Sequence, residues 1–276
     1  MIDVPDRTDK LPQRAVPPEQ RRQQLLERVQ EAGSITNQRV AHEFGISMLT
    51  VRRDLEMLEE QGLLRRVHGG ARALTVPDTV YAHRMTHNHE AKRAIGGLAA
   101  MTVQDGETVY LDAGTTAVEI ARALCRRTSL RAVRVVTHAI NVATELVDRP
   151  NITVFCIGGE LYAETYASTG QFTVETVRRY VYDRFFLGCM GFDPVTGVTN
   201  ARLPEVEVKA AALERSRWTA LVVDASKWRV STFARIAPLE RVQAIITDDR
   251  LPHSDRTLLR QGTDLLIATF GGVNTN

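Results

Sequence analysis

Ile46-Ser47-Met48-Leu49-Thr50-Val51-Arg52-Arg53-Asp54-Leu55, continued by Leu58-Glu59-Glu60-Gln61-Gly62-Leu63-Leu64-Arg65-Arg66-Val67-His68-Gly69-Gly70-Ala71, decides the reading of the front of the chain. Ser47 is placed to cap a helix over about 48–60, with Ile46 and Val51 at the staple positions on either side of the cap. Thr50 stands where a capping-box glutamate would be, so the reciprocal bond is missing. Val51, Leu55 and Leu58 repeat at i, i+4, i+7 and must face a core. Arg52 and Arg53 fall off that stripe. Gly62 ends the helix, and Leu63–Ala71 reads as a hairpin turning at Gly69 and Gly70.

Two shorter helical stretches precede this one. Leu25, Leu26 and Val29 mark a helix that stops at Gly33. Ser34-Ile35-Thr36 restarts the chain, and Val40, Ala41 and Phe44 mark a second helix stopped at Gly45. Three short helices with a tight turn before the third make a helix-turn-helix, whose third helix would lie in a DNA major groove. Ser47, Met48, Leu49, Thr50, Arg52 and Arg53 would then face bases or phosphates, since an arginine fork matches guanine O6 and N7. Arg65, Arg66 and His68, with Arg72, would lay the hairpin along the phosphates. No acidic residue occurs between Gln61 and Val76, so a basic patch exists although the net charge of the chain is only +2. The same spacing also suits a plain three-helix bundle with a solvated arginine pair. The acidic Asp54, Glu56, Glu59 and Glu60 must point away from any DNA backbone.

The chain has 276 residues, 43% hydrophobic and 25% charged, values of a globular protein of about two domains. No apolar run reaches the length of a membrane span, and Asp3, Asp6 and Asp9 leave no room for a secretory signal. Cys125, Cys156 and Cys189 lie far apart in apolar surroundings, which argues against a disulfide framework or metal pair and for a reducing cytoplasmic setting, and Cys156 and Cys189 on strand-like runs suit core positions. Residues 1–17 read as a flexible tail, with Arg7, Lys10 and Arg14 offset by the three aspartates. Residues 18–74 form the helix-turn-helix domain and 75–88 a linker. His83, His87 and His89 lie in or next to that linker without metal-ligand companions. Residues 89–276 form a larger domain.

In that larger domain strands and helices alternate. Strand-like runs are Thr108–Leu111, Val133–Val136, Thr153–Ile157, Arg184–Met190, Ala220–Val223, Ala244–Thr247 and Asp264–Ala268. Helices fall at about His89–Thr102, Ala117–Leu124, Asn141–Val147, Val174–Tyr182, Glu205–Arg215 and Ser254–Arg260. This alternation predicts a mostly parallel sheet covered on both faces. Open parallel sheets bind ligands at the carboxyl ends of their strands. There the sequence places Asp112-Ala113-Gly114-Thr115-Thr116, Thr137-His138, Gly158-Gly159-Glu160, Gly191, and Asp224 with Lys227. Gly114, Thr115 and Thr116 open a helix, where unpaired amides and the dipole attract a phosphate. They equally suit a bare strand-to-helix turn with a threonine cap. Glu205 and Lys209 make either an exposed i,i+4 pair or an ammonium aimed at a bound anion. Trp218 and Trp228 suit a domain or subunit contact.

The Ile46–Ala71 run resembles the signature of DeoR-family bacterial transcription regulators over about 26 continuous residues, a specific match. The resemblance continues through Arg84, Glu90-Ala91-Lys92-Arg93-Ala94-Ile95, Asp112–Thr116, Gly158-Gly159-Glu160-Leu161, Glu205, Lys209 and Val223-Asp224-Ala225-Ser226-Lys227. It implies an N-terminal winged helix-turn-helix joined to an α/β sensor domain with a sugar-phosphate isomerase-like fold. The implied function is a DNA-binding regulator, most often a repressor of carbohydrate genes, controlled by a phosphorylated sugar. It further implies phosphate at Gly114, Thr115 and Thr116, sugar contacts at Asp112, Glu205 and Lys209, and support from Asp224 and Lys227. The expected partners are operator DNA, the effector and further copies of the chain in a dimer or tetramer, with no membrane, metal or cofactor and no catalytic turnover. The competing reading is a sugar-phosphate isomerase-like enzyme with an accessory N-terminal module. Two departures stand out: Thr137-His138 where the family usually has Thr-Asn, and Trp228-Arg229 where it usually has an aromatic residue and glycine.

Overall fold

The computed structural model describes residues 17–60, 63–73, 81 and 83–269. Of the tail expected over 1–17 all but Pro17, and half of the linker expected over 75–88, lie outside the described residues. The chain divides into two compact units, one ending at Thr79 and one beginning at Val80.

In the first unit, α1 (Pro18–Ala32) begins with proline in its first turn, where the missing N–H costs nothing. It is followed by β1 (Ser34–Thr36), α2 (Asn37–Phe44), α3 (Met48–Glu60), β2 (Leu64–Val67) and β3 (Gly70–Ala73). Thr36 caps α2 by accepting from the Arg39 amide, and left-handed Gly45 closes it. Ser47 Oγ accepts from the Thr50 amide at 3.2 Å and lies 2.9 Å from Thr50 Oγ1, so a second hydroxyl stands where the capping-box glutamate would be. Leu25, Val29, Ile35, Val40, Val51, Leu55, Leu58, Leu64 and Ala71 form one core. Each large member of that set stabilises the unit by roughly 1.5–3 kcal/mol through burial.

The sequence reading treats Ser34–Thr36 as a plain restart, but it is an edge strand of a three-stranded antiparallel sheet in the order β1-β3-β2. Ile35 pairs with Ala71 and faces the core. The hairpin turn centres on His68 and Gly69 rather than on the two glycines. Gly70 already belongs to β3, where a Cβ would stand 2.0 Å from the Ile35 carbonyl oxygen. Only glycine lets β1 approach this closely. Asp54, expected to point away from any DNA backbone, is buried in α3 and accepts from Arg21 Nε at 2.6 Å.

The second unit is built on a seven-stranded parallel sheet. Its strands are β4 (Thr108–Leu111), β5 (Val133–Thr137), β6 (Ile152–Cys156), β9 (Tyr182–Leu187), β12 (Ser216–Val222), β14 (Ala244–Asp248) and β15 (Asp264–Ala268). Their order is β15-β14-β12-β9-β4-β5-β6. Helices α4 (His89–Thr102), α5 (Thr115–Cys125) and α6 (Ile140–Leu146) pack on one face with Val109 and Leu111. Helices α7 (Gln171–Arg178), α8 (Leu203–Glu214) and α9 (His253–Arg260) pack on the other with Tyr110. Adjacent β4 residues thus serve opposite cores, as the alternation of side chains along a strand requires.

Connections after β4 run toward β5 and β6, whereas β9 lies on the opposite side of β4. The β4/β9 boundary is therefore the point where strand order reverses, and a crevice opens there. This reversal sets the site.

Several small antiparallel pieces were not legible in the sequence. β7 (Glu160–Tyr162) pairs with β8 (Ala167–Thr169), and β10 (Gly191–Asp193), β11 (Gly197–Asn200) and β13 (Ala234–Ala237) form a separate sheet. The helix expected over Val174–Tyr182 begins earlier, after Gly170, and Tyr182 instead opens β9. Cys156, expected in the core, is exposed because β6 is an edge strand. The linker expected up to residue 88 is helical at 83–86, with Met85 packed on the α4–α6 core.

Candidate nucleic-acid interface and anion pocket

On the first unit, the start of α3 presents Ser47, Met48, Leu49, Arg52 and Arg53 to solvent, with Thr50 half-buried. Leu49 is 71% exposed, an unusual position for leucine on a helix whose opposite face is packed. Arg65, Arg66 and His68 are exposed on the hairpin. Arg52 and Arg66 line one concavity with Asn37, Val67, His68, Gly69 and Gly70. The third helix and the hairpin therefore share a face. Arg66 is also braced from behind: its amide donates to Glu59 at 2.9 Å, and its guanidinium lies 3.5 Å from Glu56. The acidic end of α3 thus orients part of the basic patch.

On the second unit, a cavity of about 330 Å³ opens at the β4/β9 reversal. Asp112 follows the end of β4, and Gly114 at φ 108 turns the chain into α5. L-residues rarely adopt that angle. Gly114 has no side-chain cap, and a Cβ there would meet open space. The first intrahelical bond runs from Val118 to Gly114, leaving the amides of residues 115–117 facing the cavity edge at the positive end of α5. Thr115, Thr116 and Ala117 line it, together with Gly188 and Cys189 after β9, and Val223 and Asp224 after β12.

Four cations and two carboxylates share that lining: Arg84, Lys92, Lys209 and Lys227 with Glu205 and Asp224. Beneath it, Asp112 accepts from Lys209 Nζ at 2.5 Å and from the Gly188 and Ala113 amides at 2.8 Å each. Asp112 is fully buried and does not line the cavity; it holds the ammonium that does. Asp224 accepts from Asn88 at 2.9 Å and caps the following 3-10 turn at Ser226. Glu205 accepts from Asn200 at 2.8 Å. Lys92 donates to the Arg84 and His87 carbonyls, and burial lowers its ammonium to about 8.

Besides Asp112, six expected site residues do not line this cavity. Thr137 is buried and accepts from the Ala139 amide. His138 is buried beside Tyr110 Oη, 2.7 Å from its Nδ1, and desolvation pulls its pKa down to about 4. Its Nε2 is unpaired, 3.9 Å from Asp112. Gly158 accepts from Thr173, while Gly159 packs so closely on Thr173 and Thr169 that no Cβ fits. Glu160 points outward from β7, and Gly191 packs on the Val230 carbonyl.

The sequence reading left Arg84, Lys92, Thr165 and Asn200 out of the site. Arg84 and Lys92 carried a signal as landmarks of the resemblance; Thr165 and Asn200 carried none. His83 and His87 stack at 5.6 Å and line the cavity, whereas His89 faces Glu119 at 3.5 Å. The departure at Arg229 has a visible consequence, since that residue sits at φ 57, a glycine-favouring conformation. Trp218 meets Phe186 edge-to-face and lies under Arg184, and Trp228 packs at a tilt against Phe192, all within the unit.

A helix-turn-helix with a hairpin wing, carried on the same chain as an α/β unit with a charged crevice, defines a DNA-binding regulator with a small-molecule sensor. Comparison with known proteins gives the family. The sequence model of the DeoR-like helix-turn-helix domain matches residues 21–76, and that of the DeoR C terminal sensor domain matches residues 87–249. The HTH-type transcriptional regulator YgbI of Escherichia coli (strain K12) is 37% identical over 259 residues, covering 91% of this chain and 98% of its own. The glycerol-3-phosphate regulon repressor of the same organism is 31% identical over 236 residues, covering 85% of this chain and 92% of its own. Among solved structures, ribose 5-phosphate isomerase A of Methanocaldococcus jannaschii aligns at a TM-score of 0.37 and 18% identity, over 51% of this chain and 55% of that one. The chain belongs to the DeoR family of transcriptional regulators. Among the described residues no helix is long and apolar enough to cross a membrane.

Proposed function

We propose that the protein is a repressor of carbohydrate-metabolism genes whose grip on operator DNA is set by a phosphorylated sugar in the α/β crevice. One observation carries this reading: uncapped α5 amides at Gly114–Thr116 border a cavity at the strand-order reversal, with Lys227 and Lys209 in the same lining. The phosphate sits on those amides. Asp112 acts through Lys209, and Glu205 and Asp224 meet hydroxyls. Ser47, Met48, Leu49, Thr50, Arg52 and Arg53 read the major groove, while Arg65, Arg66 and His68 track the phosphates.

The relatives' names support repression, and one of them regulates a phosphorylated polyol regulon. A dimer or tetramer in the cytoplasm suits paired half-sites. Effector control requires unequal affinity for two arrangements of the heads; binding alone shifts nothing. The protein is not an isomerase in this reading. Its relatives are named as transcriptional regulators, and Lys209 is held by the Asp112 carboxylate.

The test is a titration of the protein's own upstream DNA at several salt concentrations, with and without ribose 5-phosphate and sorbitol 6-phosphate. Specific binding that weakens steeply with salt and shifts with a phosphorylated sugar is expected. Steady turnover of a sugar phosphate, or DNA binding indifferent to sequence, overturns it.

A further inference from the structure

The lining holds three side-chain atoms that are buried and lack any hydrogen-bond partner: Arg84 Nε, Thr165 Oγ1 and Glu205 Oε1. Thr165 is 5% exposed and Glu205 7%, so water does not solvate them freely. Buried polar atoms of this kind are ordinarily paired, and leaving one unpaired is unfavourable. Three in one cavity mark where a ligand's polar groups go.

Their chemistry is mixed. Arg84 Nε can only donate, Glu205 Oε1 can only accept while ionised, and Thr165 Oγ1 can do either. Glu205 is the carboxylate that acts most strongly on the Arg84 guanidinium, yet no hydrogen bond joins the two. The gap between them suits a group that accepts from one and donates to the other. An alcohol does both through one oxygen. A phosphate or carboxylate could accept from Arg84 but would face Glu205 with like charge and no proton to offer. Other atoms of both side chains are already engaged: Arg84 Nη2 donates to the Glu164 carbonyl, and Asn200 donates to Glu205 Oε2.

We propose that Arg84, Thr165 and Glu205 form a hydroxyl-reading pole opposite in chemistry to the amide turn, so that the effector is a polyol monophosphate whose far end is uncharged. This rests on the phosphate reading of the Gly114–Thr116 turn and narrows it: sugar bisphosphates and phosphorylated sugar acids are excluded by Glu205. Arg84 and Thr165 are then the specificity-determining residues for the hydroxyl end.

The experiment measures binding to the full-length protein by calorimetry. The probes are inorganic phosphate, sorbitol 6-phosphate, ribose 5-phosphate, 6-phosphogluconate and fructose 1,6-bisphosphate. The two monophosphates should bind at least about tenfold tighter than inorganic phosphate. The two compounds with a second anionic group at the far end should show no such gain. Thr165→Val should remove most of the monophosphate gain while leaving inorganic phosphate unchanged. Glu205→Gln should admit 6-phosphogluconate, a gain that mere structural damage cannot produce. If either compound with a second anionic group binds the native protein as tightly as the monophosphates, this inference falls and the phosphate reading stands. The same holds if both variants keep the native preferences. If neither inorganic phosphate nor any monophosphate binds, both readings fall together.

Discussion

Lys209 Nζ donates to Asp112 Oδ2 at 2.5 Å across 97 residues of chain, and both side chains are almost wholly shielded from water. The pair joins the start of the β4–α5 turn to the middle of α8, and Gly188 after β9 bonds to both partners. It is the floor of the crevice and fixes where the strand-order reversal opens.

Removing one partner should therefore be costly. Lys209→Met leaves a buried carboxylate whose remaining donors are two amides, and should destabilise the second unit by about 3–5 kcal/mol. The double change Lys209→Met with Asp112→Asn should recover part of that loss. Chemical denaturation of the three proteins measures both, and equal stability of the single and double variants would refute the pairing.

His138 gives the fold a pH response. Its pKa in the folded chain, about 4, lies below the ordinary 6.5 because burial penalises the charged ring. Between those values the unfolded chain binds the extra proton, so stability rises with pH there. Its contribution is complete above pH 6.5 and is lost as pH falls toward 4, by about 3 kcal/mol in all. His138→Asn, which restores the residue the family usually carries, should flatten this part of the stability–pH curve. Melting temperatures across pH 4 to 7 decide it.

On the first unit, Arg52→Ala and Arg53→Ala should each weaken operator binding by about 1–3 kcal/mol while lowering discrimination against altered sites. Effector binding in the second unit should stay unchanged. Gel-shift titrations on native and scrambled operators provide the measurement. Variants that bind the operator like the native protein would move the reading surface elsewhere.

Gly70→Ala tests why the wing carries two glycines. The added Cβ would meet the Ile35 carbonyl oxygen at 2.0 Å, and separating β1 from β3 should cost at least about 2 kcal/mol. The expected result is early melting and lost DNA binding, with the second unit's ligand response retained.

Arg229→Gly should act in the opposite direction. Its left-handed backbone, φ 57, favours glycine by about 1 kcal/mol, and the bond it would lose to Asp255 is largely exposed. A rise in thermal stability is expected.

Much of this protein was settled by local sequence. Val51, Leu55 and Leu58 had to form a helical stripe, Ser47 had to cap it, and apolar β-branched runs separated by helices had to make a parallel sheet. Those features depend on residues near one another in the chain, whose periodicity and turn chemistry need no partner to be read. The amide turn at Gly114–Thr116 was visible for the same reason. The fate of Thr137-His138, Gly158-Gly159-Glu160 and Gly191 was not, because every parallel strand end resembles a ligand site until the strand order is known. Only the packed sheet, which sets β9 beside β4, decided which loops line the crevice. The same packing brought Arg84 and Thr165 to Glu205, and buried Asp112 under Lys209, because burial and charge pairing depend on what folds on top of a residue and leave no trace in its immediate neighbours.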